Sequence, residues 1–258
     1  MSDQPLLVAE GLGRDYGARI GCRSVNLALH AGEVLAVVGE SGSGKSTLLG
    51  LLSGEQAPSA GRVLYRRRDG ALADLARLPE AERRLLMRTD FGFVRQRAEE
   101  GLRMAVSAGG NVGERLMATG WRHYGAIRAE ASDFLARVEI DAARMDEDPR
   151  AFSGGMRQRL QIARNLVSRP RLVFMDEPTS GLDVSVQARL LDLIRALVEE
   201  MGLAVVIVTH DLAVARLLAH RIMVMRRGRV IEEGLADQVL DDPQAPYTQL
   251  LVASVLTP

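Results

Sequence analysis

The apolar residues of this chain fall into short runs separated by polar or periodic stretches. Val34 to Val38, in "EVLAVVG", is unbroken and closes on Gly39, the pattern of a strand buried on both faces. It leads through a glycine-rich loop into "KSTLLGLLSG", predicted as a helix stopped by Gly54. The alternation resumes after Pro170: strand "LVFMD", helix "VSVQARLLDLIRALVEEMG", strand "AVVIVTH", helix "DLAVARLLAH". Strands separated by helices predict an α/β fold with a mostly parallel sheet. Before residue 33, "LLVAEGL" and "SVNLAL" read as short strands with turns, and "GRVLYRRRDG" as a strand with a polar loop. "LPEAERRLLMR" carries proline in its first turn, with Leu85 and Leu86 at helical spacing. From about 97 to 167 only helical patterns remain, as in "IRAEASDFLARVEI" and "SGGMRQRLQIARNLV", which predicts an inserted helical subdomain. "RIMVMRRGRVIEEG" reads as a hairpin turning at Arg227-Gly228, and "PYTQLLVASVL" as a C-terminal helix.

Composition narrows the function classes. Thirty-three basic and 33 acidic residues give zero net charge, so no overall field favours nucleic acid or an anionic membrane. Cys22 is the only cysteine, which excludes an internal disulfide and any metal site built on several thiolates, and a cytoplasmic location is expected. The longest apolar run is Leu203 to Val208, whereas a membrane helix needs about 20 such residues. No direct membrane insertion is expected, and service to a membrane would pass through a partner.

Two motifs carry phosphate chemistry. "GESGSGKST", Gly39 to Thr47, places Gly-x-x-x-x-Gly-Lys-Ser between a predicted strand and helix. In such a loop the glycines let backbone N–H groups curl around phosphate oxygens, Lys45 reaches the β- and γ-phosphates, and Ser46 ligates Mg²⁺. The nucleotide-binding set is therefore Gly39, Glu40, Ser41, Gly42, Ser43, Gly44, Lys45, Ser46 and Thr47. In "RLVFMDEP", Asp176 emerges at a strand end, placed to hold Mg²⁺ through water, and Glu177 follows to orient or deprotonate an attacking water. A third motif, "FSGGMRQRL", reads as a helix capped by Ser153, a second anion-binding helix start in a chain that already has a phosphate loop.

With "SGLD" and "THD", these motifs resemble the ATP-binding-cassette (ABC) ATPases over nearly the whole chain. The resemblance implies a P-loop NTPase fold within 1–258: a β subdomain and RecA-like core from 1–96 and 168–240, a helical signature subdomain from 97–167, and a C-terminal helix from 241–258. It implies that Ser153, Gly154, Gly155, Met156 and Gln158 close on ATP held by another subunit, hence a head-to-tail dimer around two ATPs. Tyr16 matches the aromatic that stacks on adenine, and Gln96 the glutamine that senses Mg²⁺ and water. Asp183 matches the acid that reads the opposite site, the alternative being a helix N-cap, and His210 matches the switch histidine near the γ-phosphate.

Val94 to Leu116, "VRQRAEEGLRMAVSAGGNVGERL", is where a partner would touch the ATPase. Peptide and nickel importer subunits are similar overall but usually carry "DPMTSLNP" in this region. This chain more closely resembles the ATP-binding subunits of bacterial carbon–phosphorus lyase systems, which break down phosphonates. That resemblance implies docking on the carbon–phosphorus lyase core complex, as a homodimer or with a related ABC subunit. The alternative is an importer ATPase for phosphonates, peptides or nickel. A non-hydrolysing ATP-gated clamp is disfavoured by the presence of Glu177 and His210. Gly109, Gly110 and Gly113 would allow close approach of a partner, and Arg97, Arg103 and Arg115 would pair with its acids. "RRR" at 66–68 reads as a solvated hairpin tip, "WRHYG" at 121–125 lacks acid or thiol neighbours for a metal, and Cys22 reads as structural.

Overall fold

The computed structural model describes residues 4–17 and 19–256. Its strands are β1 (Leu7–Tyr16), β2 (Arg19–Leu29), β3 (Val34–Val38), β4 (Ala60–Arg66), β5 (Leu72–Asp74), β6 (Phe91–Val94), β7 (Leu172–Asp176), β8 (Ala204–Thr209), β9 (Arg221–Arg226) and β10 (Arg229–Leu235). Its helices are α1 (Lys45–Leu52), α2 (Glu80–Thr89), α3 (Ala98–Gly101), α4 (Ala108–Ala118), α5 (Tyr124–Arg137), α6 (Gly154–Leu166), α7 (Val184–Met201), α8 (Leu212–Leu218), α9 (Ala236–Asp241) and α10 (Pro246–Leu256). The chain divides into two compact units, Met1–Arg83 with Gly202–Pro258, and Arg84–Met201.

In the first unit, β2, β1, β4 and β5 form an antiparallel sheet in that order. The N-terminal strands are longer than their apolar cores suggested. Register shifts between Ala9 and Leu12, and again around Arg14, absorb the glycine-bearing stretch, so pairing continues to Tyr16↔Arg19. The same unit holds β3 between β8 and β9, parallel to both. Every residue of β3 and β8 is buried, which is why neither sequence alternates. The β9–β10 hairpin turns where expected: Arg227 and Gly228 both take positive φ, 48° and 77°, the turn whose twist matches its strands. Two bonds fasten this hairpin to β2, from the Arg23 N–H to the Gly228 carbonyl at 2.8 Å and from the Arg221 guanidinium to the Ala28 carbonyl at 3.0 Å. The arginines at 66–68 lie at a hairpin tip but are not simply solvated, because Arg66 bonds the Pro5 and Gly70 carbonyls and Arg67 pairs with Glu82. Cys22 is fully buried, which pushes its thiol pKa up to about 11.

The second unit pairs β6 and β7 in parallel, with Phe93 stacked on Phe174 and Phe91 edge-on to it. Helices α3 to α7 complete it. Asn111, fully buried on α4, organises the segment before that helix. Its Oδ1 accepts the Arg103 N–H at 2.8 Å, and its Nδ2 donates to the carbonyls of Arg103, Val106 and Ser107 at 3.0, 2.8 and 3.1 Å. Asn111→Ala would strand these buried groups, with an expected loss of about 2–4 kcal/mol in denaturant unfolding. A loss below about 1 kcal/mol would show that the segment is held by something else.

Here the expected partner surface needs correction. Arg115 does not reach outward: its guanidinium donates to the Phe91 carbonyl at 2.7 Å, and burial lowers its pKa to about 10. The three glycines accommodate the chain's own packing. A methyl group at Gly109 would lie 2.4 Å from the Met145 side chain, at Gly110 2.7 Å from Val106, and at Gly113 2.8 Å from Ile127. Arg97 and Arg103 remain exposed, the first beside Glu100 and the second bonded to Glu114 at 2.8 Å. His123 caps α5, its Nδ1 accepting the Ala126 N–H at 3.1 Å. Among the described residues, no helix is long and apolar enough to cross a membrane.

Candidate nucleotide site

Tyr16, the loop from Gly39 to Thr47, and His210 belong to the first unit, and Gln96, Ser153, Asp176, Glu177 and Asp183 to the second. The loop leaves β3 at Gly39, where φ is 145° and a methyl group would lie 2.2 Å from the Met225 carbonyl oxygen. It enters α1 through Gly44 at φ 105°, where a methyl group would lie 2.2 Å from the Gly21 carbonyl oxygen. No side chain caps α1 at Gly44, so its first N–H groups keep the open, positive end of the helix. Lys45 is buried and folded over the loop, its Nζ 2.7 Å from the Gly39 carbonyl oxygen and 2.9 Å from that of Glu40. Ser43 Oγ is buried without a hydrogen-bond partner, an orphaned hydroxyl inside the loop. Such an orphan suits a loop built to receive a polar ligand.

Tyr16 stands exposed at the end of β1. Its hydroxyl donates to Gln56 Oε1 at 2.5 Å, and the Arg14 guanidinium lies over its ring at 5.2 Å from the centroid. These two residues, which sequence reading passed over, brace the ring against rotation. His210 follows the buried end of β8 and is exposed. Thr209 Oγ1 accepts the Asp211 N–H at 3.0 Å, and the Asp211 carboxylate caps α8 by accepting from Ala213 at 2.8 Å, which fixes the backbone on either side of the histidine.

In the second unit, Asp176 ends β7 and Glu177 follows with φ 43°, a left-handed conformation uncommon for any residue other than glycine. Gln96 lies just beyond β6, and its Nε2 donates to Ser180 Oγ at 3.1 Å. Ser153 caps α6, its Oγ accepting the Met156 N–H at 3.3 Å, and both Ser153 and Gly154 are exposed. Gly155 packs where a methyl group would lie 2.6 Å from Val186. Met156 is held at its sulfur by Arg144, 3.2 Å away. Gln158 differs from the residues it was grouped with. It is buried, and with Gln161 it grips the peptide before Gln96. Gln161 Oε1 accepts the Arg95 N–H at 2.5 Å, while Gln161 and Gln158 both donate to the Arg95 carbonyl, at 3.1 and 3.2 Å. Asp183 is exposed immediately before α7, its carbonyl accepting the Gln187 N–H at 2.8 Å, which is the N-cap position.

The family model described as ABC transporter matches residues 22–180. The chain is 61% identical over 254 residues to a protein of Escherichia coli K12 named for phosphonates utilization, the ATP-binding protein PhnK, covering 98% of this chain and 99% of that one. It is 37% identical over 270 residues to a peptide import ATP-binding protein of Brucella ovis, covering 99% of this chain and 79% of that one. Among solved structures, a dimeric post-hydrolysis state of the ATP-binding cassette MJ0796, bound to ADP and Pi, matches with a TM-score of 0.78 at 30% identity, covering 89% of this chain and 98% of that one.

Proposed function

The chain belongs to the ABC transporter family of ATP hydrolases, and from that premise we propose that it works as a head-to-tail dimer around two ATP molecules in the service of phosphonate breakdown. The carrying observation is that one chain has two glycine-rich helix starts of different character, both read as anion sites. The start of α1 is uncapped and backed by Lys45, a complete phosphate seat, whereas the start of α6 is an exposed serine cap that suits closure on a nucleotide held elsewhere. The dimeric state of MJ0796 supports this arrangement. The 61% identity to a protein named for phosphonates utilization supports the biological setting.

The proposed chemistry is phosphoryl transfer to water by positioning and charge neutralisation. Tyr16, braced by Arg14 and Gln56, offers a ring face to the adenine. The loop N–H groups, Ser43 and Lys45 hold the phosphates. Glu177 accepts the proton of the attacking water, and His210 orients the γ-phosphate. Ser153 and Gly155 of one subunit, with Asp183, complete the cage on the nucleotide of the other. Ser46, Gln96 and Asp176 form the proposed Mg²⁺ set. The donor chemistry fits: these are hard oxygen ligands, and among the described residues no group of three or more His, Cys, Asp or Glu suggests another metal. Because the Gln96 amide nitrogen is taken by Ser180, its oxygen is the atom offered to a cation. When bound, Mg²⁺ neutralises charge on the β- and γ-phosphates.

The proposed output is docking on the carbon–phosphorus lyase core complex through the surface that carries Arg97 and Arg103. The test is an affinity pull-down with ATP from cells grown on a phosphonate as sole phosphorus source. Soluble phosphonate-cleaving subunits are the expected catch. Charge reversal at Arg97 and Arg103 should reduce it by about tenfold while ATP affinity stays unchanged. Recovery of an integral membrane permease instead would make this an importer ATPase, the reading favoured by the relative named for peptide import.

A further inference from the structure

We propose that Tyr247, on the C-terminal helix, is a positioning residue for the phosphate loop. The proposal rests on reading Gly39 to Thr47 as the loop that binds ATP. Tyr247 lies in the first turn of α10 and is only 6% exposed. The Arg226 guanidinium lies over its ring, 4.5 Å from the centroid. Its hydroxyl oxygen accepts a hydrogen bond from the backbone N–H of Glu40 at 3.2 Å, across 207 residues of chain.

Glu40 is the hinge of the loop. Its carbonyl accepts the Ser43 N–H at 3.1 Å and the Lys45 ammonium at 2.9 Å, and the Gly39 carbonyl accepts the same ammonium at 2.7 Å. The first peptide of the loop is therefore held at its carbonyls from within and at its N–H by α10. A lysine that serves phosphate must share or surrender its bonds to those carbonyls. The bond from Tyr247 to the Glu40 N–H makes no such demand on the lysine. The strand β9 supports it from behind, with the Met225 carbonyl against Gly39 and Arg226 on the Tyr247 ring. The start of α10 is fixed in turn by the Glu232 carboxylate, which accepts the N–H groups of Gln244 at 2.8 Å and Ala245 at 3.0 Å. A loop so anchored is organised before the phosphates arrive. Losing the anchor should weaken binding while leaving the chemical step untouched.

The experiment uses the full chain with Tyr247→Phe, which keeps the ring and its stacking under Arg226 and removes only the acceptor. KM and kcat for ATP are measured, with the Kd for ATP, the Kd for inorganic tripolyphosphate, and thermal unfolding without nucleotide. The expected result is a rise of about 3- to 10-fold in KM and in both Kd values, the span of one ordinary hydrogen bond. The expected kcat stays within about twofold, and the unliganded unfolding temperature falls by no more than about 4 °C, the cost of one ordinary hydrogen bond. Unchanged Kd values would overturn the proposal, as would a fall in kcat alone, a loss confined to ATP and absent for tripolyphosphate, or a fall in unliganded unfolding temperature beyond about 10 °C, which would mark general destabilisation. Lys45→Ala separates the two readings. If that variant binds tripolyphosphate normally, the phosphate-loop reading itself fails. If it loses binding while Tyr247→Phe does not, only the role of Tyr247 fails.

Discussion

Glu177→Gln is expected to lower ATP turnover by about 10²- to 10⁴-fold, the usual worth of a positioned general base, while ATP stays bound. Glutamine matches glutamate in size, so the left-handed backbone at this position, φ 43°, and the turn closed by the Ser180 N–H on the Glu177 carbonyl at 3.1 Å need not change. Only the ability to take a proton is lost. Since hydrolysis is what releases closure in the proposed cycle, the variant should collect as an ATP-bound dimer. Phosphate release gives the rate, and light scattering with and without ATP gives the mass. Turnover within tenfold of the parent would remove Glu177 from the role. A monomer in saturating ATP would instead sink the head-to-tail dimer.

Lys45→Ala is expected to weaken ATP binding by about 10²- to 10³-fold, from the loss of charge-assisted hydrogen bonds to two phosphates. Lys45 is buried and bonded to the carbonyls of Gly39 and Glu40, so the substitution also unpairs part of the loop. Calorimetric titration with ATP, beside circular dichroism of the unliganded variant, separates the two effects. A folded variant whose Kd stays within tenfold of the parent would show that the lysine braces the loop more than it binds the ligand.

Both residues could be proposed from sequence because their motifs are local: for Lys45 a buried strand, a glycine loop and a helix follow one another within about twenty residues from Val34, and for Glu177 a pair of acids ends the apolar strand β7. The turn at Arg227-Gly228 was visible for the same reason. Missed features are long-range. Nothing in "PYTQ" tells that its tyrosine meets Glu40, and nothing in "GEQAPS" tells that Gln56 holds Tyr16. Arg97, Arg103 and Arg115 were read as pairing with a partner's acids, yet Arg115 of α4 donates to the Phe91 carbonyl at the start of β6, a contact between elements that local spacing does not announce. Gln158 was assigned by its place in a motif, while helical periodicity puts it and Gln161, three residues apart, on the inner face of α6. The N-terminal strands were cut short because glycine reads as a turn until a bulge is allowed for.

The two glutamine amides that grip Arg95 have a mechanical consequence. A residue bonded at both its N–H and its carbonyl to one helix face cannot slide along that helix or swing away from it without breaking several bonds together. Gln96 directly follows that residue, and Ser153 sits at the tip of the helix that holds it. Under the roles proposed above, the residue that senses Mg²⁺ and water and the serine that closes on the other subunit's ATP are the two ends of one bonded linkage. A movement at the sensing end would therefore be carried to the serine through bonds already in place rather than through a loose loop.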